Sequence, residues 1–439
     1  MQNETIDDTI ESEVISVKFS ESKDVELKEK YTKSMLKTVS AFSNYHDGTI
    51  YIGINDKGDV VGVPKISEEK NVIENIINTS ITPKPLFDLN ILQIEGKEIL
   101  EITVYKGEDG PYYYRNIAYM RNDTSSTPVD GVNLTRLLLN SKNLTYDQLK
   151  VNTAKLSFDY LENKLSSILN VQKVNQAILT TLGLYNDNAY NNAALLLADN
   201  GELNQSYIDI ARFKMDANTF LDRQRHENQS ILAYFDNVMS YFEYQYPPYQ
   251  IIDGVRRISK EQVPLIAFRE TLTNAIVHRD YLLNAGVQIA MFDNRIEVVS
   301  PGGLPSGMDK EQYFKGLTSV SRNPNIANVF FRLKLIERFG TGIKRILDSY
   351  SRYKIKPSFE VKQSHIKVVL PTTNFDYEKL AKKEGIVAYL HAFPNSSRQH
   401  IEQAIQIDKS SLIRRLNELE KQGVIKKRGN GPSTVYACL

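Results

Sequence analysis

Two stretches of this sequence concentrate side chains able to do chemistry. The first is Arg269 to Tyr281, R-E-T-L-T-N-A-I-V-H-R-D-Y. Glu270, Asn274 and His278 recur every fourth residue, so a helix would stack them on one face. Asn is a poor interior helix residue because its amide competes for backbone hydrogen bonds. Packing alone therefore does not explain this face. The second stretch is Glu21 to Lys28, E-S-K-D-V-E-L-K. Paired carboxylates can hold Mg²⁺ or Mn²⁺ and activate water against a phosphodiester. A lysine beside them, here Lys28, can stabilise the developing negative charge. An equally physical reading makes Glu26 and Lys28, alternating along a strand, a surface ion pair worth little.

The elements that must position these residues read as an α+β, multidomain chain. Its 439 residues suffice for two to four domains. With 41% apolar and 24% charged residues the composition is that of a soluble globular protein. A net charge of +1 gives no global basic field, so any nucleic-acid contact must be local. The single cysteine, Cys438, excludes a disulfide framework and a cysteine-based zinc site within one chain. A reducing, cytoplasmic setting is the expectation. The acidic start M-Q-N-E-T-I-D-D lacks the apolar core of a secretory signal, and no apolar run is long enough to span a bilayer. No internal repeat or low-complexity segment is found.

Residues 1 to about 12 read as a frayed terminus. Val14–Val17, Val25–Leu27, Thr49–Ile54, Val60–Val63, Leu86–Leu92 and Ile99–Val104 read as strands, with helices over Lys33–Tyr45 and around Val72–Ile77. That domain is placed at 1–140. A second domain, 150–372 with core motifs at 256–350, has predicted helices over Leu165–Leu182, Ile231–Phe242, 262–280, Asn325–Leu333 and up to Tyr350. Ala193–Ala198 reads as a buried helix or strand, and Ser206–Phe213 as a strand. Val287–Phe292 and Arg295–Ser300 are predicted to form a hairpin turning at Asp293-Asn294, and Ser300–Gly307 is too rich in Gly and Pro for regular structure. A third unit, 376–439, carries 11 basic and 7 acidic residues, a net +4. It reads as helix Glu384–His391, helix Ser397–Ala404 with Ser397 as N-cap, helix Lys409–Gln422 ended by Gly423, and two strands around Gly429-Asn430-Gly431-Pro432.

His278-Arg279-Asp280 matches the catalytic-loop triplet of protein kinases, but no Asn follows at the expected spacing, D-F-G is absent, and no glycine-rich loop is followed by a strand lysine. The Glu270–Asn274 pair instead resembles the N-box helix of the ATPase superfamily of DNA gyrase, histidine kinases and MutL (GHKL). In that family the Asn holds Mg²⁺ against nucleotide phosphates and the Glu activates water. Gly340-Thr341-Gly342-Ile343 resembles its later glycine-rich box. A divergent branch matches further, through Arg269–Tyr281, Pro301-Gly302-Gly303-Leu304-Pro305, Arg322-Asn323-Pro324 and Ile336-Glu337 to Ile343. The family's usual D-x-G-x-G adenine box is absent, and Ser300–Gly307 stands in its place. The resemblance implies a GHKL-like α/β sandwich that binds ATP and Mg²⁺ through Glu270, Asn274, Gly302, Gly303, Gly340, Thr341 and Gly342, with Asn274 the metal ligand and Glu270 the base if ATP is hydrolysed. The alternative is that Glu270 and Asn274 merely brace this loop.

Glu21–Lys28, with Lys37–Asn44, Asp47-Gly48, Ile52–Gly58, Pro111-Tyr112 and Ala118–Arg121, resembles the Schlafen-type AlbA-like domain over about residues 10–135. That resemblance implies nucleic-acid contact and, in some members, a metal-dependent nuclease centre. Carried over, it would use Glu21, Glu26 and Asp56 as metal ligands with Lys28 beside them. The third unit resembles a winged helix-turn-helix. Ser410, Ser411, Arg414 and Arg415 would then read DNA while Lys426, Lys427 and Arg428 contact phosphate. Winged helices also serve as protein-interaction modules. The three modules occur in this order in bacterial proteins described as ATP-binding transcriptional regulators. The expectation is a cytoplasmic, homo-oligomeric regulator that binds DNA, and RNA or tRNA as a further ligand, with no membrane partner. The rival expectations are a metal-dependent nuclease acting as a toxin or antiviral effector, and an ATPase that remodels nucleic-acid complexes.

Overall fold

A computed structural model describes residues 18–439 apart from 154, 202–205, 215–218, 254, 306–307, 309, 316–319, 338–339, 354, 375–384, 406, 430 and 432–433. The predicted strand Val14–Val17 and the frayed start lie outside the described residues, as do Ser306, Gly307, Glu384, Asn430 and Pro432. The chain divides into two compact units, Met1–Leu144 and Thr145–Leu439.

In the first unit β1 (Val25–Lys28), helix α1 (Met35–Tyr45) and β2 (Gly48–Ile52) form a parallel crossover, with Val25 opposite Thr49. Parallel neighbours need such a connecting helix. Met35, Leu36, Val39 and Phe42 give α1 its apolar stripe. The chain continues through α2 (Ile66–Ser80), β3 (Ile81–Thr82), β4 (Leu86–Ile94), β5 (Lys97–Tyr105), β6 (Tyr113–Tyr114), β7 (Ile117–Asn122), β8 (Ser125–Pro128) and α3 (Gly131–Ser141). Two four-stranded sheets result, in the orders β1-β2-β5-β4 and β3-β6-β7-β8. The polar residues of α1 fasten the second sheet. Asn44 donates to the Tyr112 and Tyr119 carbonyls (3.0 and 3.3 Å) and accepts from the Tyr112 N–H (2.7 Å), while Ser40 donates to Tyr112 O (2.7 Å). The expected strand Val60–Val63 is reduced to one bridge, Ile54 to Val60, because Gly58 and Gly62 on either side take left-handed φ of 85° and 86°.

The second unit begins with a one-turn helix at Tyr146–Gln148 and continues through β9 (Lys150–Val151), α4 (Asp159–Leu169), α5 (Gln176–Thr181), β10 (Tyr185–Asn186), β11 (Ala189–Asn191) and α6 (Asn192–Leu197). The single helix expected over Leu165–Leu182 is therefore two. Asn170 ends α4 in the left-handed region (φ 56°) and Asn175 caps α5 by accepting the Ile178 N–H at 3.0 Å. Next come β12 (Tyr207–Phe213), β13 (Phe220–Glu227), α7 (Ile231–Gln245), β14 (Tyr249–Asp253), β15 (Arg256–Lys260), α8 (Leu265–Val277), β16 (Val287–Met291) and β17 (Arg295–Pro301). They are followed by α9 (Lys310–Lys315), α10 (Pro324–Arg332), α11 (Gly342–Ser349), β18 (Ser358–Val361) and β19 (His365–Pro371).

The main sheet runs β13-β12-β16-β17-β19-β18, with β12 parallel to β16 and the other pairs antiparallel. The β16–β17 hairpin turns at Asp293-Asn294 as the sequence predicts. One apolar core joins α7, α8, α10 and this sheet. Asp147, fully buried, caps α10 from far upstream by accepting the Asn325 and Ile326 N–H groups at 2.8 and 3.2 Å.

The chain ends in α12 (Gly385–Ala392), β20 (Ser396–Ser397), α13 (Arg398–Ile405), α14 (Lys409–Lys421), β21 (Ile425–Arg428) and β22 (Val435–Cys438), with sheet order β20-β22-β21 and its own core around Leu390, Ile401, Leu412 and Leu416. Asp408 caps α14 through the Ser411 N–H at 2.9 Å. Ser397 accepts the His400 N–H at 3.3 Å, and Gly423 ends α14 with φ 69°. Among the described residues no helix is long and apolar enough to cross a membrane.

Candidate nucleotide-binding site

Helix α8 contains neither Gly nor Pro, starts directly after Pro264, and buries Ala267, Phe268, Leu272 and Ile276 in the core. Its other face, with Glu270 and Asn274, lines a cavity of about 430 Å³. A volume of that size suits a small organic ligand. Across the cavity wall lies the start of α11. A side chain at Gly342 would put Cβ 3.1 Å from Glu270 Oε2 and 3.2 Å from Asn274 Nδ2. A side chain there would crowd both groups, so glycine eases the close approach of the two helices and motifs far apart in sequence share one wall.

Glu270 is 4% exposed, and its Oε1 accepts from Arg345 at 3.1 Å and from Arg269 at 3.4 Å. Arg345 also pairs with Glu337. Burial works against the charge on Arg345, but Glu337 and Glu270 outweigh it and raise the guanidinium pKa above its usual value. In this arrangement Glu270 is an ion-pair acceptor rather than the unengaged base that hydrolysis would need. Asn274 is half-buried, and among the described residues its amide has no hydrogen-bond partner. Thr341 precedes α11 without a side-chain cap bond, and Gly340 takes φ 64°. All three residues 340–342 line the cavity, as do Gly302 and Gly303.

The glycines at 302 and 303 have a structural cause as well. Gly302 sits at φ 94°, where a Cβ would fall 2.3 Å from an Arg322 guanidinium nitrogen and 2.5 Å from Asp280 Cβ. They admit a clasp that the sequence did not reveal. Asp280 pairs with Arg322 (3.2 Å), and its N–H donates to Pro301 O (2.9 Å). Arg322 donates to Gly303 O (2.8 Å), and Asn323 donates to the Val277 and Arg279 carbonyls (2.8 and 2.9 Å), satisfying the end of α8. Arg279 is fully buried, donates to Ala285 O and lies 4.5 Å from the Tyr281 ring. Arg279 and Asp280 of the kinase-like triplet thus act as a brace. His278 stands just beyond the helix and lines the cavity. Burial, reinforced by Arg322, pushes its pKa down to about 4, so the ring is neutral at physiological pH.

The residues present fit a nucleotide with Mg²⁺. The amide oxygen of Asn274 is a hard donor, the glycine wall leaves room for phosphates, and Val298, Phe331, Ile336, Phe359 and Val368 supply an apolar portion for a base. Mg²⁺ typically keeps waters and substrate phosphates as most of its ligands, so one protein oxygen is sufficient.

The N-terminal carboxylates are arranged differently. Glu26, 6% exposed, pairs with Lys28 at 2.6 Å and with Arg121 at 2.5 Å. Glu21 accepts the Leu27 N–H at 3.1 Å and lies 3.6 Å from Lys28. Asp56 is exposed in the turn after β2 and does not join them. Among the described residues no three His, Cys, Asp or Glu are grouped to hold a metal. The expected centre of Glu21, Glu26 and Asp56 is therefore not assembled, because the Arg121 guanidinium stands against Glu26 instead. In the C-terminal module Lys426, Lys427, Arg428 and Arg414 are exposed and Arg415 is half-buried. Ser410 donates to the capping Asp408 at 2.5 Å, and the Ser411 N–H is held by the same carboxylate, so both serines serve the helix start.

Residues 21–130 match the family described as "Schlafen, AlbA_2", and residues 284–370 match the family described as "Putative ATP-dependent DNA helicase recG C-terminal". The chain thus carries a Schlafen AlbA_2 domain and a RecG-like ATPase-type domain. The second match contains the loops at 302–303 and 340–342 but begins after α8. Among solved structures, the chain is similar to a Corynebacterium diphtheriae protein at 17% identity over 95% of this chain and 92% of that one, with a TM-score of 0.46. It is also similar to the N-terminal domain of a RecG-related protein from Nitrosomonas europaea at 25% identity over 25% of this chain and 84% of that one, with a TM-score of 0.21.

Proposed function

We propose that this chain is an ATP-binding, nucleic-acid-binding bacterial regulator, cytoplasmic and homo-oligomeric. In this reading residues 150–372 form a divergent GHKL-type nucleotide domain, residues 376–439 a winged helix that binds DNA, and residues 1–140 a further nucleic-acid module. The observation that carries it is the wall shared by Glu270, Asn274 and Gly342, where an amide with no hydrogen-bond partner among the described residues faces a cavity beside bare glycine backbone. Nucleotide would bias the nucleic-acid modules only by favouring one of their arrangements over another.

The test is calorimetric titration with ATP and Mg²⁺. Binding that Asn274→Ala removes supports the reading, and no binding by the intact chain refutes it. For the C-terminal module, a variant carrying Lys426→Ala, Lys427→Ala and Arg428→Ala should reduce the salt slope of duplex-DNA binding by about 2–3. An unchanged slope takes phosphate contact away from β21. The nuclease alternative is disfavoured by the pairing of Glu26 with Arg121. The ATPase alternative requires Arg345 to leave Glu270 before that carboxylate could accept a proton.

A further inference from the structure

A second cavity, open and about 510 Å³ in volume, lies within the first unit and has no part in the carboxylate cluster. Its chemistry is set by Tyr31, Tyr113, Tyr114, Lys33, Arg115 and Asn116, and no carboxylate is among its lining residues. The β3–β6 pairing builds its floor, with Ile81 opposite Tyr114 and Thr82 opposite Tyr113. The hairpin from β6 to β7 turns on Arg115 and Asn116 alone, both with left-handed φ (51° and 62°). Two-residue turns of this kind favour Asn and Gly, because Cβ crowds the backbone there. Arginine at the first position strains the backbone, and its exposed side chain gains no packing in return. It does place a guanidinium 5.3 Å from the Tyr114 ring. Lys33 adds a second exposed cation, while Tyr31 and Tyr113 are half-buried.

Aromatic faces flanked by cations, with an amide, hydroxyls and no acid, match one chemistry closely: a flat π-system that carries phosphate. In a duplex the base faces are already stacked, so only an unpaired base can present one. We propose that this groove binds an unpaired nucleobase of a single-stranded nucleic acid, stacked against Tyr31 or Tyr113, with the adjoining phosphate at Lys33 and Arg115. The inference rests on reading the first unit as a nucleic-acid module, and it assigns that module a place and a strand preference.

The chain contains no tryptophan, so Tyr113→Trp in the intact chain creates a single tryptophan within the groove, whose emission is excited apart from that of the tyrosines. Titration with a 12-nucleotide oligo-dT or oligo-U strand should quench this emission, and a duplex of the same length should not. Base–aromatic stacking is worth about 1–3 kcal/mol per base, so Tyr113→Ala should weaken single-strand binding by roughly 5- to 150-fold, as read by anisotropy. Tyr113→Phe keeps the stacking face and should retain affinity, which separates lost contact from lost folding. If the intact protein binds single strands but Tyr113→Ala binds equally well and the reporter is silent, the groove assignment is wrong while the nucleic-acid reading stands. If the intact protein binds no nucleic acid, the parent reading fails too. Equal quenching by thymidine monophosphate or by poly-glutamate at matched concentration overturns the strand assignment.

Discussion

Glu26 and Glu270 occupy comparable settings that have different consequences. Each is more than nine-tenths buried and each carboxylate meets two cations, Lys28 and Arg121 in one case and Arg269 and Arg345 in the other. Around Glu26 the site is closed. The Arg121 side chain is 1% exposed, donates further to the Ser22 and Val25 carbonyls, and lies over the Phe42 ring. Around Glu270 the site is open. Arg345 is shared with Glu337, and the neighbouring wall is glycine backbone and an amide with no partner among the described residues. A buried ion pair enclosed on every side fixes a fold, and removing one partner strands the other. The same pair beside a cavity can exchange partners with an incoming anion.

Four measurements would break or sharpen this contrast. The largest effect is expected for Glu26→Ala, which strands Arg121 and should cost about 3–5 kcal/mol in chemical denaturation. A cost below about 1 kcal/mol would mean that Glu26 is not structural and would return it to the candidate catalytic residues. Next, Mg²⁺ and ATP at a hundred times the dissociation constant should stabilise the protein by about 2.7 kcal/mol. Asn274→Ala should abolish that gain while shifting unliganded stability by less than about 1 kcal/mol, and a large unliganded loss would make Asn274 a brace. Third, Glu270→Gln leaves Arg345 paired with Glu337 and should cost only about 1–2 kcal/mol. A loss as large as that of Glu26→Ala would erase the distinction between the two sites.

The smallest effect concerns pH. His278 titrates near 4 when folded and near its ordinary 6.5 when unfolded. Between those values the unfolded chain binds the extra proton, so this residue lowers stability as pH falls from 6.5 towards 4 and has no influence above 6.5. Stability measured against pH should therefore be flatter across that window in His278→Asn than in the parent chain. An identical slope in the two proteins would place the proton elsewhere.

Periodicity made α8 legible, and the Asp293-Asn294 pair alone marked the turn of the β16–β17 hairpin. The four-residue spacing of Glu270 and Asn274 placed both on one face, and they do line one cavity. The partners that decide their chemistry were not legible, because Arg345 and Arg121 sit many residues away and only the tertiary fold brings them in. Local signals were also present but outweighed. In N-V-Q-K-V-N the two asparagines mark a helix end and a helix start, yet the apolar spacing across them reads as one continuous helix. The triplet His278-Arg279-Asp280 suggested catalysis because charged residues inside a helical pattern usually do something, and here the task of the two buried ones, Arg279 and Asp280, is to tie three loops together.

The cap supplied by Asp147 bears on how this protein can be cut. Helix α10 contributes Pro324, Ala327 and Asn328 to the wall of the larger cavity, yet the carboxylate that closes its first turn lies upstream of residue 150. A fragment trimmed to 150–372 would expose two amide donors at the base of that helix, and one trimmed to 284–370 would also lack α8. Expression boundaries drawn from motif or family limits would thus yield a receptor missing a structural peg. A workable fragment has to begin at or before Thr145.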